Sequence, residues 1–340
     1  MDIRVILGNT HLFDSKTLAE LSLVCKEWAG VCIQFDVPEL LTLKHPDDGE
    51  ETHACTRWIG KYGSHLRRVS TDSQLVLTLL GHLHVNRLVS LTVTGVDVED
   101  FSSLVFMTGL QELDLSKTKF WDVSLIARLV CLKALDLFFT DIADVTRLAG
   151  LILLEELDVS NTPLHGNLGA LGRMTHLRKL RLSSGDLDDS DLADISHLSN
   201  LKELVLSENG HVNAVWGLAH LTGLEVLDLS DTSVESVDAL QYMMGLRDLN
   251  LYGTRVADVT PLAVLTQLSV LNISGTMVND VASLVSLVSL MVLNLSGTFV
   301  EEVDQLLLVL RNLRVLNLSD TDVDSVRLED LPIGMRLIWF

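Results

Sequence analysis

The chain of 340 residues carries 46 acidic against 25 basic side chains, giving a net charge of −21 and a pI near 4.7. Such a surface repels nucleic-acid phosphates and anionic membranes and favours a basic or neutral protein partner. The four cysteines, Cys25, Cys32, Cys55 and Cys131, form no paired capping pattern, and the apolar run in Met1 to Asn9 is too short for a signal peptide, so a reducing, cytoplasmic or nuclear setting is expected.

From the N-terminus, Leu18, Leu21, Val24, Cys25 and Trp28 recur at the spacing of one helical face. Asp14 and Ser15 stand ahead of them as caps. The stretch from Val37 to Leu43 reads as extended, and that from Thr56 to Tyr62 as a short amphipathic helix leading to Leu66. The phrase from Leu18 to Trp28, with Leu23 and Lys26 inside it, resembles the core of the F-box family, and Leu40, Leu41 and Leu43 approximate that family's following strand. The resemblance implies that Leu18, Leu21, Val24, Cys25 and Trp28 dock on a Skp1-like adaptor of a cullin ubiquitin ligase. The family's opening Leu-Pro helix has no clear counterpart in Met1 to Phe13. Residues 1–65 also read as a helical N-terminal cap, which a stacked array needs at its open end. Both readings stand at this point.

Beyond residue 65 a phrase repeats. Aligned leucines run from Leu88 through Leu110, Leu132 and onward to Leu313, at steps of 22 to 24 residues. After each anchor come apolar residues at +3 and +5 and usually a threonine at +8, as in Leu268, Leu271, Ile273 and Thr276. Apolar residues at +3 and +5 alternating with polar ones predict a strand with one buried and one wet face. A lone strand of this kind cannot bury its face, so the copies must stack. The period and phrasing resemble the leucine-rich repeat family over residues 66–340. That resemblance implies an α/β solenoid, a horseshoe with one curved parallel sheet on its concave face. The Val-x-x-Val pairs that follow the threonine, such as Val256 and Val259, predict short helical, 3₁₀ or irregular returns on the convex side. The threonine column reads as structural, since a hydroxyl can bond the turn backbone; Gly185 and Asn209 interrupt it. Met335, Ile338 and Phe340 repeat the anchor, +3 and +5 spacing and are expected to form the last strand.

The concave columns suggest where a partner binds. At +4 stand Asp114, Asp136 and Asp158 and, later, Asn272 and Asn294; at +2 stand Val270 and Val292; the serines at +6 give way to Phe138 and Tyr252. The first half of the face is acidic with Phe138, and with it Phe139, projecting. Arg178, Lys179 and Arg181 interrupt it, and the second half is an uncharged asparagine ladder. Exposed apolar side chains on a wet face mark binding patches, and aromatic residues are frequent anchors. The bland alternative is that the asparagines bond one another and the valines serve strand propensity.

Other chemistries find little support. The segments from Val259 to Asn279 and from Val281 to Val300 hold no charge, yet the repeat phrase runs through both, so no membrane span is expected. Three Asn-x-Ser sequons, at Asn272, Asn294 and Asn317, coincide with the strand phrase and are explained by repetition. His82 and His84 are too isolated for a metal site, and no phosphate loop or nucleophile grouping stands out. The expected protein is a non-enzymatic, cofactor-free monomer that binds a protein partner on its concave face. It is either the substrate receptor of a Skp1-cullin-F-box ligase or a regulatory scaffold resembling a phosphatase-regulator subunit.

Overall fold

The computed structural model describes residues 32–35, 39–43, 66–82, 87–164, 168–326 and 331–339. The chain divides into two compact units, Met1–Thr162 and Pro163–Phe340. One kind of coil builds both.

In the first unit, β1 (Cys32–Phe35) lies antiparallel to β2 (Glu39–Leu43) and to β3 (Leu66–Thr71), while β2 and β3 are parallel. The extended segment expected to end at Leu43 is therefore a strand. The strand at Cys32–Phe35 has no counterpart in the sequence reading, which placed only a helix and an extended stretch around it. From β3 the chain passes in order through β4 (Ser90–Val93), β5 (Glu112–Asp114), β6 (Ala134–Asp136) and β7 (Glu156–Asp158), each parallel to the next. The +3 leucines face one another across every pair, Leu91 to Leu113, Leu113 to Leu135 and Leu135 to Leu157.

The second unit repeats the scheme from β8 (Lys179–Arg181) through β9 (Glu203–Val205), β10 (Val226–Asp228), β11 (Asp248–Asn250), β12 (Val270–Asn272), β13 (Val292–Asn294), β14 (Val315–Asn317) and β15 (Arg336–Ile338). All neighbouring pairs are parallel and in register. The last strand departs from expectation. Leu337, not Ile338, stands opposite Leu316, so Gly334 occupies the anchor position and Trp339 the +5 position. A shift of one residue reverses which face each side chain occupies. Leu337 and Trp339 stay half-buried, whereas the corresponding positions of the inner coils are closed on both sides.

Anchor, +3 and +5 residues from Leu88 to Leu318 are at most 2 % exposed. Each such leucine contributes roughly 1.5–3 kcal/mol through burial, and because every coil lends one face to each neighbour, the core is a continuous ribbon within each unit. The returns are short 3₁₀ helices, for example Ser102–Phe106, Thr146–Gly150, Thr260–Val264 and Ala282–Ser286. Only α1 (Gln74–His82), α2 (Asp189–Ile195) and α3 (Asp304–Val309) among the described residues are α-helical. The helices α2 and α3 fall in coils of 24 and 23 residues, from Leu177 to Leu201 and from Leu290 to Leu313. A capping box holds the start of α2: Asp188 accepts from the Ser190 N–H, and Asp191 accepts from the Asp188 N–H.

Asp100, Asp144 and Asp258 open 3₁₀ returns in the same way, accepting from the backbone N–H of Ser102, Thr146 and Thr260 at 2.7–2.8 Å. Hydrogen bonds from those serine and threonine residues hold all three carboxyls below their ordinary range.

The threonine column closes each strand-to-return turn from within. Thr118 donates to the Leu115 carbonyl at 2.6 Å, and Thr276 to the Ile273 carbonyl at 2.6 Å. From Leu110 onward the column has two interruptions, and they belong together. Gly185 has no hydroxyl to give the Leu182 carbonyl; Asn209, fully buried one coil later, supplies that bond at 2.9 Å. Its amide also donates to the Leu206 carbonyl at 2.8 Å, and its Oδ1 accepts from the N–H groups of Gly185 at 3.0 Å and Leu187 at 3.1 Å. One asparagine therefore serves two turns.

Candidate partner-binding face

At the +2 and +4 positions the side chains rise from the open side of the sheet, most of them half-covered by their neighbours, with Glu156, Arg181 and Arg336 exposed. The aspartates and asparagines at +4 share one task. Oδ1 of Asp114, Asp136 and Asp158 accepts from the backbone N–H two residues on, at Ser116, Phe138 and Ser160, at 2.9 Å in each case. Asn250, Asn272, Asn294 and Asn317 do the same toward Tyr252, Ser274, Ser296 and Ser319 at 3.1–3.2 Å. Asx turns of this kind accept either carboxylate or amide. The charge of the column is accordingly free to differ from coil to coil without disturbing the turn.

The asparagines also reach sideways, though not as one unbroken series. Asn272 Nδ2 donates to Asn250 Oδ1 at 2.9 Å, whereas Asn294 Nδ2 donates to Ser274 Oγ at 3.2 Å. Val270 and Val292 stand between Asp248 and Val315 on the +2 column, paired in register and half-buried.

Among the aromatic residues, Phe138 is half-buried, with Lys117 Nζ 5.7 Å from its ring centroid and the Phe139 ring 6.2 Å away. Phe139 is the one that projects, 61 % exposed. Its backbone lies at φ 54°, in the left-handed region that a bulky side chain seldom occupies. The turn demands this conformation at +7 in every coil from Leu110 to Leu313, and the other coils meet it with lysine, asparagine, serine, glutamate, aspartate or glycine. Tyr252 is 46 % exposed, and its ring edge lies along the next coil, where a Cβ on Gly275 would come 3.6 Å from Cε2.

Arg68, Arg181, Lys202 and Arg247, on and beside the face, are paired. Arg68 lies 4.0 Å from Glu112 in the first unit. In the second, Arg181 pairs with Glu203, and Glu225 receives both Lys202 at 3.0 Å and Arg247 at 4.0 Å. The basic interruption read around Arg181 is thus neutralised at that residue. Among the described residues Asp248 has no ion pair of this kind; burial first, and then the neighbouring Asp228, push its carboxyl above the usual range.

No group of three potential metal ligands occurs among the described residues, and no described helix is long and apolar enough to cross a membrane. Leu18, Leu21, Val24, Cys25 and Trp28, the expected adaptor contacts, lie outside the described residues.

No protein-family model and no curated protein matches the chain. Solved structures do. The internalin InlF of Listeria monocytogenes superposes with a TM-score of 0.71 at 20 % identity, covering 85 % of this chain and 93 % of that one. InlJ of the same organism gives 0.61 at 17 % identity, over 82 % of this chain and 64 % of that one. TLR13 in complex with ssRNA13 gives 0.61 at 16 % identity, over 85 % and 52 %. The fold is a leucine-rich repeat fold. At these identities the likeness is one of fold alone.

Within this leucine-rich repeat frame, sequence reasoning found the columns but missed how exposure is distributed among them. Trp121 is 68 % exposed on a return of the first unit, and Met277 and Phe299 stand out beyond the turns of the second. Met277 and Phe299 share the +9 position of successive coils. A bulky apolar residue just beyond the threonine, where the strand pattern demands none, was the available signal.

Proposed function

We propose that the chain is a protein-interaction scaffold without catalytic chemistry of its own, with residues 1–65 capping the repeats of 66–340 and a protein partner bound on the open strand face. Asp114, Asp136, Asp158, Phe138, Tyr252, Val270, Asn272, Val292 and Asn294 stand on that face. The observation that carries the reading is Phe139, an exposed phenyl ring held at φ 54°. A backbone outlier of this kind costs on the order of 1 kcal/mol or more, and a large apolar side chain there adds nothing to the core. Its return must come from contact with another molecule, with the Phe138 ring beside it and Lys117 over that ring. One structural neighbour is a complex with RNA; a chain of net charge −21 offers phosphate no such attraction.

The test is affinity capture with the wild-type chain, followed by titration of each captured protein against Phe139→Gly and Tyr252→Ala. An anchor role predicts weakening by roughly 1–3 kcal/mol for one or both. Equal affinity for wild type and both variants would remove the face from consideration. The ligase-receptor reading rests on the pattern of Leu18, Leu21, Val24, Cys25 and Trp28 alone. Calorimetric titration with a Skp1-like adaptor, beside Leu21→Asp, separates it from a regulatory scaffold, which shares the strand face but has no adaptor contact.

A further inference from the structure

The turn edge of the second unit differs from the rest of that unit's surface. Three successive coils place Gly253, Gly275 and Gly297 at +7, all at positive φ, and the coils on either side place Asp231 and Asp320 at the same position. Along this run Tyr252, Met277 and Phe299 are 46, 56 and 58 % exposed. Their coils are locked side by side: the Met277 N–H donates to the Val256 carbonyl and the Phe299 N–H to the Val278 carbonyl, both at 2.9 Å. Tyr252 lies over Gly275, leaving bare backbone beyond it, where a Cβ on Gly297 would meet only Gly275 at 3.7 Å. Between Val259 and Val300 the single charge is Asp280. Arg255 holds the +9 position one coil before Met277 and is turned to Glu235 at 3.8 Å. Around Met277 and Phe299 the strip is uncharged, and the run is acidic at both ends, with Glu301 and Glu302 following Phe299.

We infer that this edge is a docking strip for an extended protein segment carrying apolar side chains between two basic residues. The inference rests on the reading of the chain as a protein-binding scaffold and adds the turn edge, which meets the strand face at Tyr252, and a partner chemistry. The glycine N–H groups are already spent on the carbonyls of Ser274, Ser296 and Ser319 at 2.8–3.0 Å, so strand addition is closed and recognition falls to side chains. An acidic or neutral segment would leave Asp231 and Asp320 facing no counter-charge; a basic residue at each end answers both. Four coil steps of about 4.8 Å separate the two aspartates, roughly 19 Å, which an extended chain at about 3.3 Å per residue spans in about six residues.

The experiment uses the full chain and a fluorescein-labelled peptide, Lys-Ser-Leu-Ser-Leu-Ser-Lys, whose lysines and leucines share one face when extended, with a control in which both lysines are replaced by glutamate. Fluorescence anisotropy should show saturable binding of the lysine peptide that weakens as salt rises, and none of the glutamate peptide. Met277→Ser with Phe299→Ser, and separately Asp231→Asn with Asp320→Asn, should each weaken it by about tenfold or more. Asparagine tolerates the positive φ at both aspartate positions, and circular dichroism verifies that each variant is folded. Absence of binding, equal binding of the two peptides, or undiminished binding by both variants overturns the strip. Phe139→Gly should leave peptide binding unchanged; loss there with none in the strip variants would assign the peptide to the first unit's face and refute the strip while sparing the scaffold reading.

Discussion

Asn209→Ala probes the coupling between Gly185 and its neighbouring coil. The wild-type amide is fully buried and satisfies the carbonyls of Leu182 and Leu206 and the N–H groups of Gly185 and Leu187, at 2.8–3.1 Å. Alanine leaves four buried backbone groups short of a partner. At about 1–3 kcal/mol for each unsatisfied group, and with water entering part of the space, a loss on the order of 4 kcal/mol is expected. If the second unit melts as one block, that is a fall of about 8–16 °C in Tm. Asn209→Thr should recover part of it, because a hydroxyl there reaches the Leu206 carbonyl as its counterparts do, but it leaves Leu182 unserved. Adding Gly185→Thr should recover more, since a Cβ at that position stands 3.3 Å from the Leu182 carbonyl oxygen. Thermal denaturation followed by circular dichroism gives the ranking, and hydrogen exchange at the Gly185 and Leu187 amides gives its cause. A melting point for Asn209→Ala within a degree of wild type, with both amides still protected, would refute the reasoning.

Further outcomes are expected. Leu293→Asp places an unpaired charge in the ribbon between Leu271 and Leu316 and should cost several kcal/mol; an unaltered melting curve would show the strand register to be wrong. Asp248→Asn should stabilise the chain near neutral pH. The wild-type carboxyl has a folded pKa raised above its ordinary value of 3.8, so its penalty is present above that raised value and gone below 3.8. The gain should therefore vanish as pH falls, and a gain that persists in acid would point to another cause. Asp258→Ala has the opposite sign. With its folded pKa lowered from 3.8, the stabilisation is present above 3.8 and is lost as pH falls through the folded value, so the variant should be weaker at neutral pH and converge on wild type in strong acid. Phe139→Gly should leave stability within about 1 kcal/mol of wild type, because relief of the positive φ offsets the added freedom of the unfolded chain; a large loss of Tm would mean that the ring packs internally.

The repeats were legible because one phrase recurs with its apolar positions fixed, and stacking leaves a period-two strand no other way to bury its face. Short returns followed from the residues left between Val259 and the next anchor. The last strand was misread because the dominant step of 22 leads from Leu313 to Met335, and Met335, Ile338 and Phe340 satisfy the apolar spacing as well as Leu337 and Trp339 do. Pairing with Leu316 decided the register, and pairing is not written in spacing. Asp114, Asp136 and Asp158 read as surface charge because the Asx turn they form selects the same residue types that a binding face would. Phe138 was favoured over Phe139 because it replaces a serine; the positive φ that turns Phe139 outward belongs to the backbone and leaves no mark on hydropathy.

Asn209 is followed by Gly210, the neighbour that most readily lets an asparagine lose ammonia by attack of the next backbone nitrogen on its side chain. In the folded coil that reaction is blocked, since both ends of the amide are held and the residue is closed to water. Each opening of the second unit removes the block. Conversion to aspartate would then aim a carboxylate at two carbonyl oxygens and prevent the coil from closing as before. The working lifetime of the molecule is thereby tied to how often this one turn opens, and peptide mapping of aged samples would show the damage gathering at Asn209 in step with the rate of opening.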